Sequence, residues 1–137
     1  VLLNRSVDRA NALVAHFTHH FGQGRVVASG LQAFDAHAGD AGLLVNTTAL
    51  GMEGQPALSI ALDRLADGAT VADIVYTPLN TPLLVSARQR GHPTVDGLGM
   101  LLHQAVPGFE RWFGVRPAVT PALRQCVLDD IQAKTKT

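Results

Sequence analysis

Four short apolar runs in this sequence end in small or polar residues. Asn4 follows Val1-Leu2-Leu3, Ser29 follows Arg25-Val26-Val27-Ala28, Asn46 follows Gly42-Leu43-Leu44-Val45, and Tyr76 follows the run from Val71 to Val75. If the runs are parallel strands, these residues gather at the carboxyl edge of the sheet, where open α/β sheets bind ligands. The segment Asn4-Arg5-Ser6-Val7-Asp8-Arg9 is the most specific. Folds that hold an unphosphorylated adenosine ribose put a carboxylate at this kind of strand end, to accept hydrogen bonds from the ribose hydroxyls. Here an amide, a guanidinium and a hydroxyl stand instead, with Arg9 one turn on. A phosphomonoester carries about −1.5 to −2 charges and three acceptor oxygens, which an arginine pair suits. A helix N-terminus adds donors and a favourable dipole. The same residues also suit an ordinary N-cap at Ser6 with two solvated arginines, and the hexapeptide alone does not choose.

A second group stands near the C-terminus. Gly97, Met100, Leu101 and Gln104 are spaced i, i+3, i+4 and i+7, so a helix puts them on one face. Glycine at the helix entry allows close approach by backbone or ligand. A glutamine on an apolar stripe needs a partner, either a ligand or a loop carbonyl. His16, His19 and His20 have a spacing compatible with a metal, but no cysteine or carboxylate nearby completes a site, so a solvated helix shoulder is expected and no metal. Cys126 reads as a structural thiol. Trp112 with Phe109 and Phe113 reads as core or domain contact. Asp73 falls inside a strand and suits a hydrogen-bond network better than catalysis.

The elements that must position these residues alternate. Ala10, Leu13, Val14, Phe17 and Phe21 recur at helical spacing and Gly22 stops the helix. A weaker helical stretch spans 31–37. Leu58, Ile60, Leu62 and Leu65 suggest a short helix. A helix from Leu83 ends at Gly91, and residues 92–95 suggest a short strand. Asp96-Gly97 opens a long helix to about Gly114. A last helix follows Pro117 and Pro121, with Val119, Leu123, Val127 and Ile131 on one side and a fraying tail from Lys134 to Thr137. Strands that are apolar throughout, alternating with helices, imply an α/β fold with a parallel sheet covered on both faces.

Composition narrows the classes. The 137 residues are 47% hydrophobic and 16% charged, which suits a globular domain. Lysine plus arginine and aspartate plus glutamate each number 11, so no electrostatic footprint for nucleic acid or an anionic membrane exists. The apolar runs are too short and interrupted for a spanning helix. A single cysteine excludes an internal disulfide and suits a reducing, cytoplasmic setting.

Taken in order, the motifs resemble the shikimate dehydrogenase family. Asn4-Arg5-Ser6-x-x-Arg9 is similar to its 2′-phosphate motif, and Asn46-Thr47-Thr48-Ala49-Leu50-Gly51-Met52 to its Asn-Ala-Thr-Ser-x-Gly-Met loop. Asp73-Ile74-Val75-Tyr76-x-Pro78-x-x-Thr81-Pro82-Leu83-Leu84 and Asp96-Gly97-Leu98-Gly99-Met100-Leu101-x-x-Gln104-Ala105 complete the set. Ser6 stands for the more usual threonine and keeps the hydroxyl. Ala49 stands for a common serine and loses its hydrogen bond.

The resemblance implies reversible, NADP-dependent reduction of 3-dehydroshikimate to shikimate, in aromatic amino-acid biosynthesis. It implies that Asn4, Arg5, Ser6 and Arg9 hold the 2′-phosphate, and that Asn46 and Thr48 lie along the cofactor. Val75 would border the nicotinamide, the backbone of Gly97 would bond its carboxamide, and Met100 would pack nearby. Tyr76 and Gln104 would reach the substrate. The implied fold is a Rossmann-type doubly wound parallel sheet. Residues 1–137 would be a partial NADP-binding domain with a C-terminal helical segment. The first strand, the Gly-rich turn and the N-terminal substrate domain would be absent, and the C-terminal helices would pack on that missing domain. The family's catalytic lysine and aspartate come from the substrate domain, so no catalytic residue is expected in this chain. Its only lysines are Lys134 and Lys136. Losing a central strand would expose two sheet edges, so cover is expected either from the missing part of the protein or from a neighbouring chain, as in a homodimer. A quinate/shikimate enzyme using NAD and a non-catalytic dinucleotide-binding module are the alternatives.

Overall fold

A computed structural model describes residues 1–135. The order of elements is β1 (Leu2–Asn4), α1 (Val7–Phe21), β2 (Ala28–Gly30), α2 (Phe34–Ala38), β3 (Leu43–Asn46), β4 (Thr70–Asp73), α3 (Pro82–Gln89), β5 (Thr94–Val95), α4 (Gly97–Phe113) and α5 (Pro121–Thr135). All strand pairs are parallel. The chain divides into two compact units, one of residues 1–41 with 60–66, the other of residues 42–59 with 67–137.

In the first unit β1 and β2 pair in the register Leu2↔Ala28 to Asn4↔Gly30. The expected second strand, 25–28 broken by Ser29-Gly30, is therefore shifted: both breakers lie inside β2. Pairing decides this, since the Leu2 N–H donates to the Val27 carbonyl at 2.8 Å and sets the ladder three residues later. Helix α1 starts and stops where local chemistry dictates. The Ser6 hydroxyl accepts from the Arg9 N–H at 3.4 Å, and Gly22 ends the helix at φ 85°. Phe34, Ala38, Leu62 and Leu65 are buried. The short helix expected over Leu58–Leu65 is a single 3-10 turn, Leu62–Arg64. Its apolar residues are anchored one by one, and no run of helical hydrogen bonds forms.

In the second unit the order is β3-β4-β5. Val71, Leu84, Ala87 and Leu98 are at 0% exposure; α3 packs on β4, and the entry of α4 lies against the segment that follows it. Strand β4 ends at Asp73, earlier than expected, which leaves Tyr76 in the loop beyond it. The expectation of a sheet covered on both faces is corrected at β3, where Leu43 is 58% and Val45 42% exposed. Apolar composition fixed the strand but not what covers it. Of the two expectations for the aromatic trio of α4, core is excluded, since Trp112 is 78% exposed, and domain contact is not. On α5, Leu123 is exposed, whereas Val127 and Ile131 are half-buried within their own unit. Lys134 and Thr135 are the last residues of α5, and Lys136 and Thr137, the rest of the expected tail, lie outside the described residues. Among the described residues no helix is long and apolar enough to cross a membrane.

Candidate functional site

At the end of β1, Asn4 and Ser6 organise the backbone themselves. The Asn4 Oδ1 accepts from the Ser6 N–H at 3.0 Å, and Ser6 then caps α1. Both readings of the hexapeptide share this cap, so it leaves the choice to the arginines. Arg5 and Arg9 are exposed, and neither guanidinium makes a hydrogen bond or ion pair among the described residues. Two unpaired cations beside a capped helix N-terminus suit a phosphomonoester. The nearest acid in sequence, Asp8, lies in the first turn and is exposed.

The second unit brings Asn46, Asp73 and Thr81 together in its interior, at 3%, 2% and 0% exposure. Asp73 is the hub. Its Oδ1 accepts from the Asn46 side-chain amide and from the Val75 N–H, both at 3.0 Å, and its Oδ2 accepts from the Thr81 hydroxyl at 2.7 Å. Thr81 in turn caps α3, accepting from the Leu84 N–H at 3.3 Å with Pro82 as the first helical residue. The expected role of Asp73 in a network agrees with this geometry, and Thr81, named above only within a motif, is a further member of it. The Thr-Pro pair was its available signal.

Asn46 uses all its side-chain hydrogen-bonding capacity internally. Its amide nitrogen also donates to the Leu50 carbonyl at 3.0 Å, while Oδ1 accepts from the Thr48 N–H at 3.0 Å and the Thr48 hydroxyl at 2.8 Å. Thr48 is exposed and also accepts from the Leu50 N–H at 3.1 Å. In this arrangement Asn46 shapes the loop, and the loop's exposed surface is offered by Thr48 and its neighbours.

Gly97 opens α4 against the segment after β4. A Cβ there would lie 2.2 Å from the Ile74 carbonyl oxygen and 2.7 Å from that of Val75. Only glycine fits so close to backbone atoms. Gly97→Ala is expected to lower stability by about 1–3 kcal/mol, as overpacking does; an unchanged thermal midpoint would contradict the contact. Val75 is 1% exposed, so its side chain serves the core and only its backbone remains for a ligand.

Met100 and Gln104 are exposed and Leu101 is half-buried. The expectation that Gln104, as part of an apolar stripe, needs a partner is therefore corrected: the side chain is open to water. The buried line of α4 runs through Gly97, Leu98 and Val106, and position 104 faces outward. Tyr76 and Thr77 line a hollow of 310 Å³ with Glu53, Leu101 and, from α5, Val127, Asp130 and Ile131. Gln104 does not line it. His16, His19 and His20 are exposed on α1, and among the described residues no three His, Cys, Asp or Glu side chains are placed to hold a metal ion. Cys126 is free and exposed.

Parallel strands with intervening helices and polar strand ends define an incomplete Rossmann-type α/β fold. Solved structures agree. The chain superposes on a shikimate dehydrogenase in complex with NADP+ with TM-score 0.82 and 30% identity, over 94% of this chain and 45% of that one. For a quinate dehydrogenase from Corynebacterium glutamicum in complex with NAD the values are 0.81 and 31%, over 93% and 45%. Residues 97–126 match the family model of the shikimate 5′-dehydrogenase C-terminal domain.

Curated relatives extend the match along the chain. It is 54% identical over 134 residues to the shikimate dehydrogenase (NADP(+)) of Azorhizobium caulinodans, and 57% identical over 132 residues to that of a Chelativorans species. These alignments cover 98% and 96% of this chain and 46% of each relative. Along nearly its whole length the chain is similar to shikimate dehydrogenases, and it spans a little under half the length of the curated relatives it matches.

Proposed function

We propose that residues 1–137 are the NADP-binding part of a cytoplasmic shikimate dehydrogenase, which interconverts 3-dehydroshikimate and shikimate. The observation that carries the cofactor choice is the pair Arg5 and Arg9, exposed and unpaired at a strand end without an acid. Asn4 and Ser6 hold the turn that presents them. The assignment of substrate rests on the family. When bound, NADPH supplies the hydride that reduces the substrate carbonyl.

This chain's residues bind and orient. Arg5 and Arg9 hold the 2′-phosphate, with Asn4 and Ser6 beside it. Thr48, on the loop that Asn46 braces, lies along the cofactor. The backbone of Val75 and Gly97 borders the nicotinamide, and Met100 packs near it. Tyr76 and Gln104 turn towards the substrate. The proton that accompanies hydride transfer comes from a lysine and an aspartate of the substrate domain. The 137-residue chain by itself is therefore expected not to oxidise shikimate. A chimera in which it replaces the matching stretch of the Azorhizobium caulinodans enzyme is expected to do so with NADP+. Turnover by the isolated chain, or a folded chimera without activity, would contradict the proposal.

The likeness to the Corynebacterium quinate dehydrogenase complexed with NAD favours a second reading, an NAD-using quinate/shikimate enzyme. The same chimera distinguishes the two by assay with both cofactors and both substrates. A homodimer is also proposed, since Leu43 and Val45 leave apolar surface on β3 for a second copy.

A further inference from the structure

The N-cap of α4 has two jobs, one for each carboxylate oxygen of Asp96. Oδ1 accepts from the Leu98 N–H at 3.1 Å, which is ordinary capping. Oδ2 accepts from Nη2 of Arg124, on α5, at 2.7 Å, and the two side chains are 20% and 37% exposed. Arg124 sits in the first turn of α5, where its own N–H donates to the Thr120 carbonyl at 3.0 Å and the Thr120 hydroxyl accepts from the Leu123 N–H at 3.2 Å. A cation in a first turn works against the helix dipole. Its placement there is not explained by the stability of α5, and the Asp96 partner explains it.

The consequence falls on Gly97. Its Cα lies against the carbonyls of Ile74 and Val75 with no room for a Cβ, so the α4 entry cannot move towards that segment. From α5, no described residue is buried. The ion pair is thus a directional link between a helix without buried anchors and the cap that holds Gly97 in place.

We propose that Arg124 is a positioning residue for the nicotinamide end of the cofactor: through Asp96 it fixes the backbone of Gly97 that borders the carboxamide. The inference rests on the NADP-binding reading above. It separates the two ends of the cofactor, because the 2′-phosphate is assigned to Arg5 and Arg9, on α1 and the turn before it.

The test is a set of binding titrations with NADP+ and with 2′,5′-ADP, which carries the 2′-phosphate but no nicotinamide. They are made on the chain and, in parallel, on the Azorhizobium chimera, with thermal midpoints recorded for each variant. Arg124→Ala is expected to weaken NADP+ three- to tenfold and leave 2′,5′-ADP unchanged. Asp96→Asn keeps an acceptor for the Leu98 N–H and loses the charged pair, so it is expected to match Arg124→Ala. The double variant should be no worse than either, and Arg124→Lys should recover part of the loss. A fall in thermal midpoint with NADP+ affinity intact would overturn the proposal. So would equal weakening of both ligands, or additive effects of the two substitutions. If neither NADP+ nor 2′,5′-ADP binds the unsubstituted chimera, the NADP reading itself fails, an outcome distinct from these.

Discussion

Replacing Arg5 and Arg9 together by alanine is expected to weaken NADP+ binding about a hundredfold and to leave NAD+ binding unchanged. Hydrogen bonds to charged groups contribute about 1.5–3 kcal/mol each, and 1.4 kcal/mol is about tenfold in affinity. Both guanidinia are exposed, so the lower end of the range applies, about tenfold per arginine. Neither has an internal partner to lose, so the double variant should fold as the parent does. The loss should shrink as salt is raised, because salt screens exposed charges, with a Debye length that falls from about 10 Å at 0.1 M to about 3 Å at 1 M. Parallel calorimetric titrations of parent and variant measure all three effects. If NADP+ and NAD+ weaken together, the arginines contribute general electrostatics and not recognition of the 2′-phosphate.

Asp73→Ala is expected to remove about 3–5 kcal/mol of folding stability. It leaves the Asn46 amide, the Val75 N–H and the Thr81 hydroxyl without their acceptor inside the protein, where each unsatisfied group costs about 1–3 kcal/mol. Against a typical domain stability of about 5–15 kcal/mol, that is a large share. Asp73→Asn should cost far less, about 1 kcal/mol. It retains one acceptor oxygen for Asn46 and Val75, and the Thr81 hydroxyl can rotate to accept from the new amide. Urea unfolding of the two variants checks the ranking. Equal, small losses would show that the three donors find other acceptors, and that Asp73 does not organise the loops after β3 and β4.

The parts legible in the sequence are those fixed by neighbours a few residues away. Ser6 and Asp96 as N-caps, and Gly22 and Gly114 as helix stops, follow from short-range chemistry that any reading can apply. The polar strand ends Asn4 and Asn46 fall where expected for the same reason. What was not legible depends on partners far along the chain. Strand β2 shifted because its register is set by Leu2, 26 residues away in the ladder. The outward turn of Gln104 follows from the buried line of α4 running through Gly97, Leu98 and Val106, and spacing gives a shared face but not its direction. The Asp96–Arg124 pair joins residues 28 apart, and neither has a local pattern that names the other.

The central claim is that this chain selects a dinucleotide by its 2′-phosphate. The most direct measurement is a calorimetric titration of the unaltered chain with NADP+ and with NAD+ in the same buffer. NADP+ is expected to bind at least about tenfold more tightly, the contribution of one charge-assisted hydrogen bond or more. Equal affinities, or tighter binding of NAD+, would contradict it.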